Sequence, residues 1–175
     1  MTGTIRLLDL NPGGPSGAPS HFTATQGFLY FWANTPSGSE LWKSTGTQLG
    51  TFPVKTLSPE PNQFPRETIG VGEDVFFAAQ YDERGEELWR SDGSEGGTAL
   101  VADIVPGIEG SLPSHFIALG SRLLFTARTA RNGKQLMAYE LQEGREVPAA
   151  TPGFEMALGF PWVPPHIHFM AWVLG

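Results

Sequence analysis

The chain contains no cysteine, which excludes disulfides, thiolate metal sites and thiol catalysis. It has no long hydrophobic run, and nothing approaches the ~18 uninterrupted apolar residues of a membrane-spanning helix. Charge is sparse at 17% of residues, and its 11 Lys and Arg are scattered among 18 Asp and Glu. Binding to phosphate backbones needs a clustered basic face, so nucleic acid is not an expected partner. Met1, Thr2 and Gly3 show neither the basic nor the apolar region of a secretory signal, so no signal peptide is expected on this chain. No segment carries a convincing 3.6-residue apolar period, so long helices are not expected either.

What is abundant is glycine and proline, 22 and 15 residues respectively. That usage reads as many short elements joined by tight turns. The apolar fraction of 40% suffices for a core and argues against wholesale disorder.

Laid on itself, the chain repeats at a step of 47 residues. Gly3-Thr4 recurs as Gly50-Thr51 and Gly97-Thr98, and Pro12 as Pro59 and Pro106. Glu40-Leu41-Trp42 recurs as Glu87-Leu88-Trp89, and Pro19-Ser20-His21-Phe22 as Pro113-Ser114-His115-Phe116. A period in this range signals a solenoid, propeller or array. The copies span residues 3–49, 50–96 and 97–145. Each reads as four short strands joined by hairpin-length loops. In copy one these are residues 4–10, 22–25, 28–33 and 40–44, with Leu41 facing one way and Glu40 and Trp42 the other. The expected fold is all-β and propeller-like, with three four-stranded antiparallel blades. The chain opens on the strand that ends a unit, a phase compatible with closing the last blade. Closed propellers typically have about four to eight blades, so three imply either self-association into a larger ring or a fragment of a longer array. Open edges would otherwise invite strand pairing. Copy three departs from the others, with Met137 where Trp42 and Trp89 stand.

Residues 86–98 (Glu-Glu-Leu-Trp-Arg-Ser-Asp-Gly-Ser-Glu-Gly-Gly-Thr), then Asp103-Ile104-Val105-Pro106-Gly107 and Gly110-Ser111-Leu112-Pro113, resemble the bacterial ELWxxDGT repeat family, sometimes termed hyalin-like. The resemblance covers residues 3 to about 138. Copy one has Thr45 where the motif has Asp, and copy two has Thr56 where Asp9 and Asp103 stand. The resemblance implies repetitive β proteins, typically exported or on the cell surface.

Asp92, Gly93 and Gly46 read as structural turn residues: the aspartate accepts backbone N–H groups and the glycines supply positive φ. A calcium site from Asp92, Ser94 and Glu95 would need about six to eight oxygens, more than these supply. Trp42 and Trp89 are candidates either for packing between blades or for stacking a sugar ring. His21 and His115 occupy one repeat position, held by Thr68 in copy two, and read as a structural hydrogen bond or a ligand contact. Glu40 and Glu87 repeat too, but blade symmetry separates them, so they are not expected to act as a catalytic pair.

The repeat stops at residue 146. Residues 146–175 read as a Pro-rich linker and an apolar tail that could cover an open blade edge. Within it, residues 159–168 resemble the first motif of cupins, in which His166 and His168 would share one strand face as metal ligands. The leading expectation is a non-enzymatic repeat scaffold without a cofactor, binding a protein or glycan. The alternatives are a cupin-like metal-binding remnant and a truncated array fragment.

Overall fold

The computed structural model describes residues 3–81, 84–141 and 167–169. The fold is all-β, in three antiparallel sheets, with no α-helix among the described residues. None of these residues forms a helix long and apolar enough to cross a membrane. The first sheet runs in chain order through β1 (Ser20–Ala24), β2 (Leu29–Thr35), β3 (Gly38–Ser44) and β4 (Thr51–Ser58). The second contains β5 (Thr68–Val71), β6 (Asp74–Gln80), β7 (Glu86–Ser91) and β8 (Ala99–Ala102). The third has three repeat strands, β9 (Ser114–Leu119), β10 (Arg122–Thr129) and β11 (Gly133–Glu140). A three-residue segment, β12 (Ile167–Phe169), pairs antiparallel with β11 where β4 and β8 stand in the other sheets.

The first strands of successive sheets are neighbours, β1 beside β5 and β5 beside β9. Two apolar layers fill the spaces between sheets. Tyr30, Trp32, Leu41, Val54 and Leu57 of the first sheet meet Val75, Phe77 and Trp89 of the second. Val71, Phe76, Leu88 and Ala102 of the second meet Leu123, Phe125, Ala127, Met137 and Tyr139 of the third. The alternating pattern of each strand makes this possible, because odd and even positions feed opposite layers. Leu88 thus faces the third sheet while its neighbour Trp89 faces the first. Trp32 and Phe77 meet edge to face across one layer, with centroids 5.1 Å apart. Phe76 and Tyr139 meet across the other at 5.3 Å.

Two sequence expectations are corrected. Residues 4–10 form no strand, although they align with β4 and β8. No sheet edge receives them. Instead Leu8 and Leu10 pack on the outer face of the first sheet, against Phe31, Ala33 and Trp42. Their backbone therefore has no ladder to join, and their apolar side chains decide where they lie. Accordingly, the fourth place of the third sheet is taken by β12 rather than by this opening segment. Removing residues 146–175 deletes that strand and exposes the β11 edge. We expect a lower melting temperature and more aggregation on heating, read by circular dichroism and light scattering; an unchanged melt would show that β12 adds nothing.

Candidate functional site

The polar residues that the copies share converge first on the turn after β3 and after β7. Ser44 Oγ and Thr51 Oγ1 lie 2.7 Å apart, as do Ser91 Oγ and Thr98 Oγ1. The Gly46 and Gly93 amides each donate to the preceding serine hydroxyl at 3.0 Å. Thr51 and Thr98 hydroxyls donate to the Thr47 and Ser94 carbonyls at 2.6 and 2.7 Å. Gly46 and Gly93 have φ of 82° and 86°, the left-handed region that glycine enters without steric cost. In copy two Asp92 Oδ1 also accepts from the amide and hydroxyl of Ser94, at 2.8 and 2.7 Å. Burial pushes this carboxyl up, but the Ser94 bonds and the charges of Arg90 and Lys43 outweigh it and hold it below the usual carboxylate range. Asp92, Gly93 and Gly46 are therefore placed as turn residues. The second turn sits over the first sheet: Lys43 Nζ is 3.4 Å from the Asp92 carbonyl and 3.6 Å above the Phe28 ring.

Trp42 and Trp89 are each 7% exposed. Trp42 stacks on Phe31 and Trp89 on Phe77, and Tyr81 meets the Trp89 ring edge-on. Neither offers an open face to a pyranose, so packing accounts for both. Met137 replaces them in the third sheet, paired with Phe125 as Trp89 is with Phe77.

A buried carboxylate marks the second convergence. Glu87 is 1% exposed. It accepts from the amides of Val105 and Ser111 at 3.0 and 2.9 Å, and from the Ser111 hydroxyl. These bonds dock residues 103–112 on the β6–β7 hairpin. The approach is so close that a Cβ on Gly110 would fall 2.4 Å from the Glu86 amide. Glu40 at the matching position is 8% exposed and accepts from Thr56 Oγ1 at 3.0 Å. The two glutamates lie in different sheets, each with its own partners.

The third convergence is the Ser-His-Phe segment. His21 and His115 both carry positive φ, 52° and 60°, and so do Ala18 and Leu112 three residues earlier, 43° and 49°. Each segment makes a bulge, two residues opposite one: His21 and Phe22 against Phe31, His115 and Phe116 against Phe125. The phenylalanines then pack on those partners, at 5.8 and 6.1 Å between centroids. Histidine is among the residues that tolerate the left-handed region, whereas β-branched threonine does not. Copy two has Thr68 there, and its first strand pairs without a bulge. Both imidazoles contact the preceding serine, Nδ1 to Oγ at 3.0 Å for His21 and 3.2 Å for His115. His115 Nδ1 also lies 3.1 Å from Thr126 Oγ1, and the His21 ring lies 5.8 Å from that of Phe64.

The bulge in the third sheet binds a carboxylate. The amides of His115 and Phe116 donate to Glu67 Oε1 and Oε2, both at 2.9 Å, across the junction with the second sheet. The repeat singles out the histidine ring; the backbone amides and Glu67 leave no mark in it, because neither is a shared side chain. The only sequence signal was Glu67 itself, standing where the other copies have Ser20 and Ser114.

No group of three or more His, Asp or Glu that could hold a metal occurs among the described residues. His166 lies outside the described residues. For His168, only the backbone is described, paired with Ala138. No family model matches the chain, and no curated protein matches it.

Proposed function

We propose that this chain is a non-enzymatic, propeller-like repeat scaffold of the ELWxxDGT type that binds a protein or glycan ligand through its connecting loops. The observation that carries this reading is where the shared polar residues are engaged. Ser44, Gly46 and Thr51, like Ser91, Gly93 and Thr98, close turns. Such residues hold architecture, which leaves recognition to what differs between copies, on loops fixed by a rigid frame. The side-by-side placement of β1, β5 and β9 supports blade-like stacking of the sheets. A glycan array together with crosslinked affinity capture tests the reading. A ligand whose footprint maps to the loops supports it, and silence in both counts against it.

Self-association belongs to the same reading. Leu41 and Leu88 are fully buried by the sheet that follows theirs. Their counterpart in the third sheet, Leu136, is 53% exposed, and Ile117 and Leu119 on that sheet are each 60% exposed. Burial of such a face contributes about 25 cal/mol per Å², and a further sheet of the same repeat has the matching shape. We expect concentration-dependent mass by light scattering, reduced to monomer by the double change Ile117→Glu and Leu136→Glu. A monomer at all concentrations in the unaltered chain would remove this part of the proposal.

A further inference from the structure

We infer that the paired amides of His21 and Phe22 form a recognition site for a carboxylate side chain of a protein partner. The chain contains its own precedent. Pro113-Ser114-His115-Phe116 repeats Pro19-Ser20-His21-Phe22 residue for residue, with the same bulge, the same two left-handed residues and the same contact from histidine to serine. In the third sheet this backbone holds both oxygens of Glu67 on successive amides. In the first sheet no carboxylate among the described residues reaches the equivalent pair. His21 is exposed, and Phe22 beside it is 60% exposed.

Charge and geometry both point to an anion. Two N–H groups converging from a bulge with a left-handed residue make a concave nest of positive potential, and bonds from amides to an ionised acceptor are about twice as strong as neutral ones. A left-handed histidine also costs more than an extended one. Glu67 offsets that cost in the third sheet; in the first, a partner's carboxylate would do so. The occupant that fits is a glutamate at the start of an extended segment flanked by apolar residues, as Glu67 is flanked by Phe64 and Ile69. Phe22 supplies an apolar contact for such flanks. This deepens the scaffold reading and rests on it by naming a partner class. A ligand found only at other loops would leave that reading intact while these amides stayed silent.

The test is a titration of the full ¹⁵N-labelled chain, followed by amide resonances. The probe is a synthetic peptide copying residues 64–71 (Phe-Pro-Arg-Glu-Thr-Ile-Gly-Val), with its Glu→Gln form and sodium propionate as comparisons. The Glu peptide is expected to move the His21 and Phe22 amides downfield. The Gln peptide should bind on the order of tenfold more weakly, the loss of one charge-assisted bond. Propionate should move the same two amides at higher concentration, showing that the carboxylate alone is recognised. His21→Gly keeps both the amide and the left-handed backbone and should bind normally. Phe22→Pro removes one donor and should abolish binding, with unchanged His115 and Phe116 resonances reporting an intact fold. The inference is overturned if the two amides stay fixed under the Glu peptide, if the Gln peptide moves them equally, or if His21→Gly loses binding.

Discussion

Glu87→Ala is expected to destabilise the chain by about 3–5 kcal/mol, read as a lower urea midpoint at pH 5, since each buried donor left unpaired costs about 1–3 kcal/mol. The change removes the acceptor of three donors, the amides of Val105 and Ser111 and the Ser111 hydroxyl, in a place that is 1% exposed. The place is closed off from bulk solvent, because residues 103–112 lie directly against the hairpin that Gly85 and Gly110 allow them to approach. The same carboxyl gives a pH signature. Burial pushes Glu87 up to about 7, against the pull of the Ser111 hydroxyl and the Val105 and Ile104 amides, with the Asp103 charge adding to the rise. A carboxyl raised in the folded state favours folding while it is protonated. Its contribution is therefore complete below the ordinary value of 4.5 and is lost as pH climbs through about 7. Unfolding free energy should fall by roughly 3 kcal/mol across that window, since each pK unit is worth about 1.4 kcal/mol. Glu87→Gln should flatten the slope, and equal slopes in the two proteins would show that Glu87 does not titrate there.

Phe77→Ala should cost about 3–5 kcal/mol, the range for truncating a fully buried aromatic. Phe77 is 0% exposed and sits between Trp32 of the first sheet and Trp89 of its own. Its removal opens a cavity at the junction of two sheets, where a rigid stack collapses poorly. Phe22→Ala makes the comparison, because the Phe22 ring is 60% exposed and its loss should cost about 1 kcal/mol or less. Chemical denaturation of both variants checks the contrast. Equal losses would mean that the layer between the first and second sheets contributes no more than the outer surface.

Much of the sheet content was legible in the sequence because β residues alternate and turns need glycine. The apolar run before Glu40 became β2, and the Glu-Leu-Trp segments became β3 and β7. The 47-residue step was legible as well, but it concealed a slip. Trp42 pairs with Phe31, 11 positions earlier, whereas Trp89 pairs with Phe77, 12 positions earlier. Copy two omits the bulge residue in β5 and regains a residue in the loop between β6 and β7. The sequence step survives because the two changes cancel. Residues 4–10 illustrate the opposite limit: their pattern suited a strand, but a strand also needs an edge, and edges are set by the whole assembly.

The candidate site was legible in its residues and not in its chemistry. His21 and His115 stood out as shared, and the ring was the natural suspect. In the fold, the histidine permits a left-handed backbone, and the amides it exposes carry the interaction. Backbone donors have no letter in a sequence; only the pairing register shows which of them the ladder leaves unused. Trp42 and Trp89 were equally visible, but only the fold shows what covers each: Leu8 and Leu10 of the opening segment for Trp42, and the first sheet for Trp89.

Serial stacking of the three sheets is most directly tested by nuclear Overhauser contacts between aromatic rings in the full chain. Trp32 and Phe77 belong to different sheets, as do Phe76 and Tyr139, with ring centroids 5.1 and 5.3 Å apart. Cross-peaks are expected for both pairs. A spectrum with the strand pairings of all three sheets present and neither ring contact observed would contradict the stack.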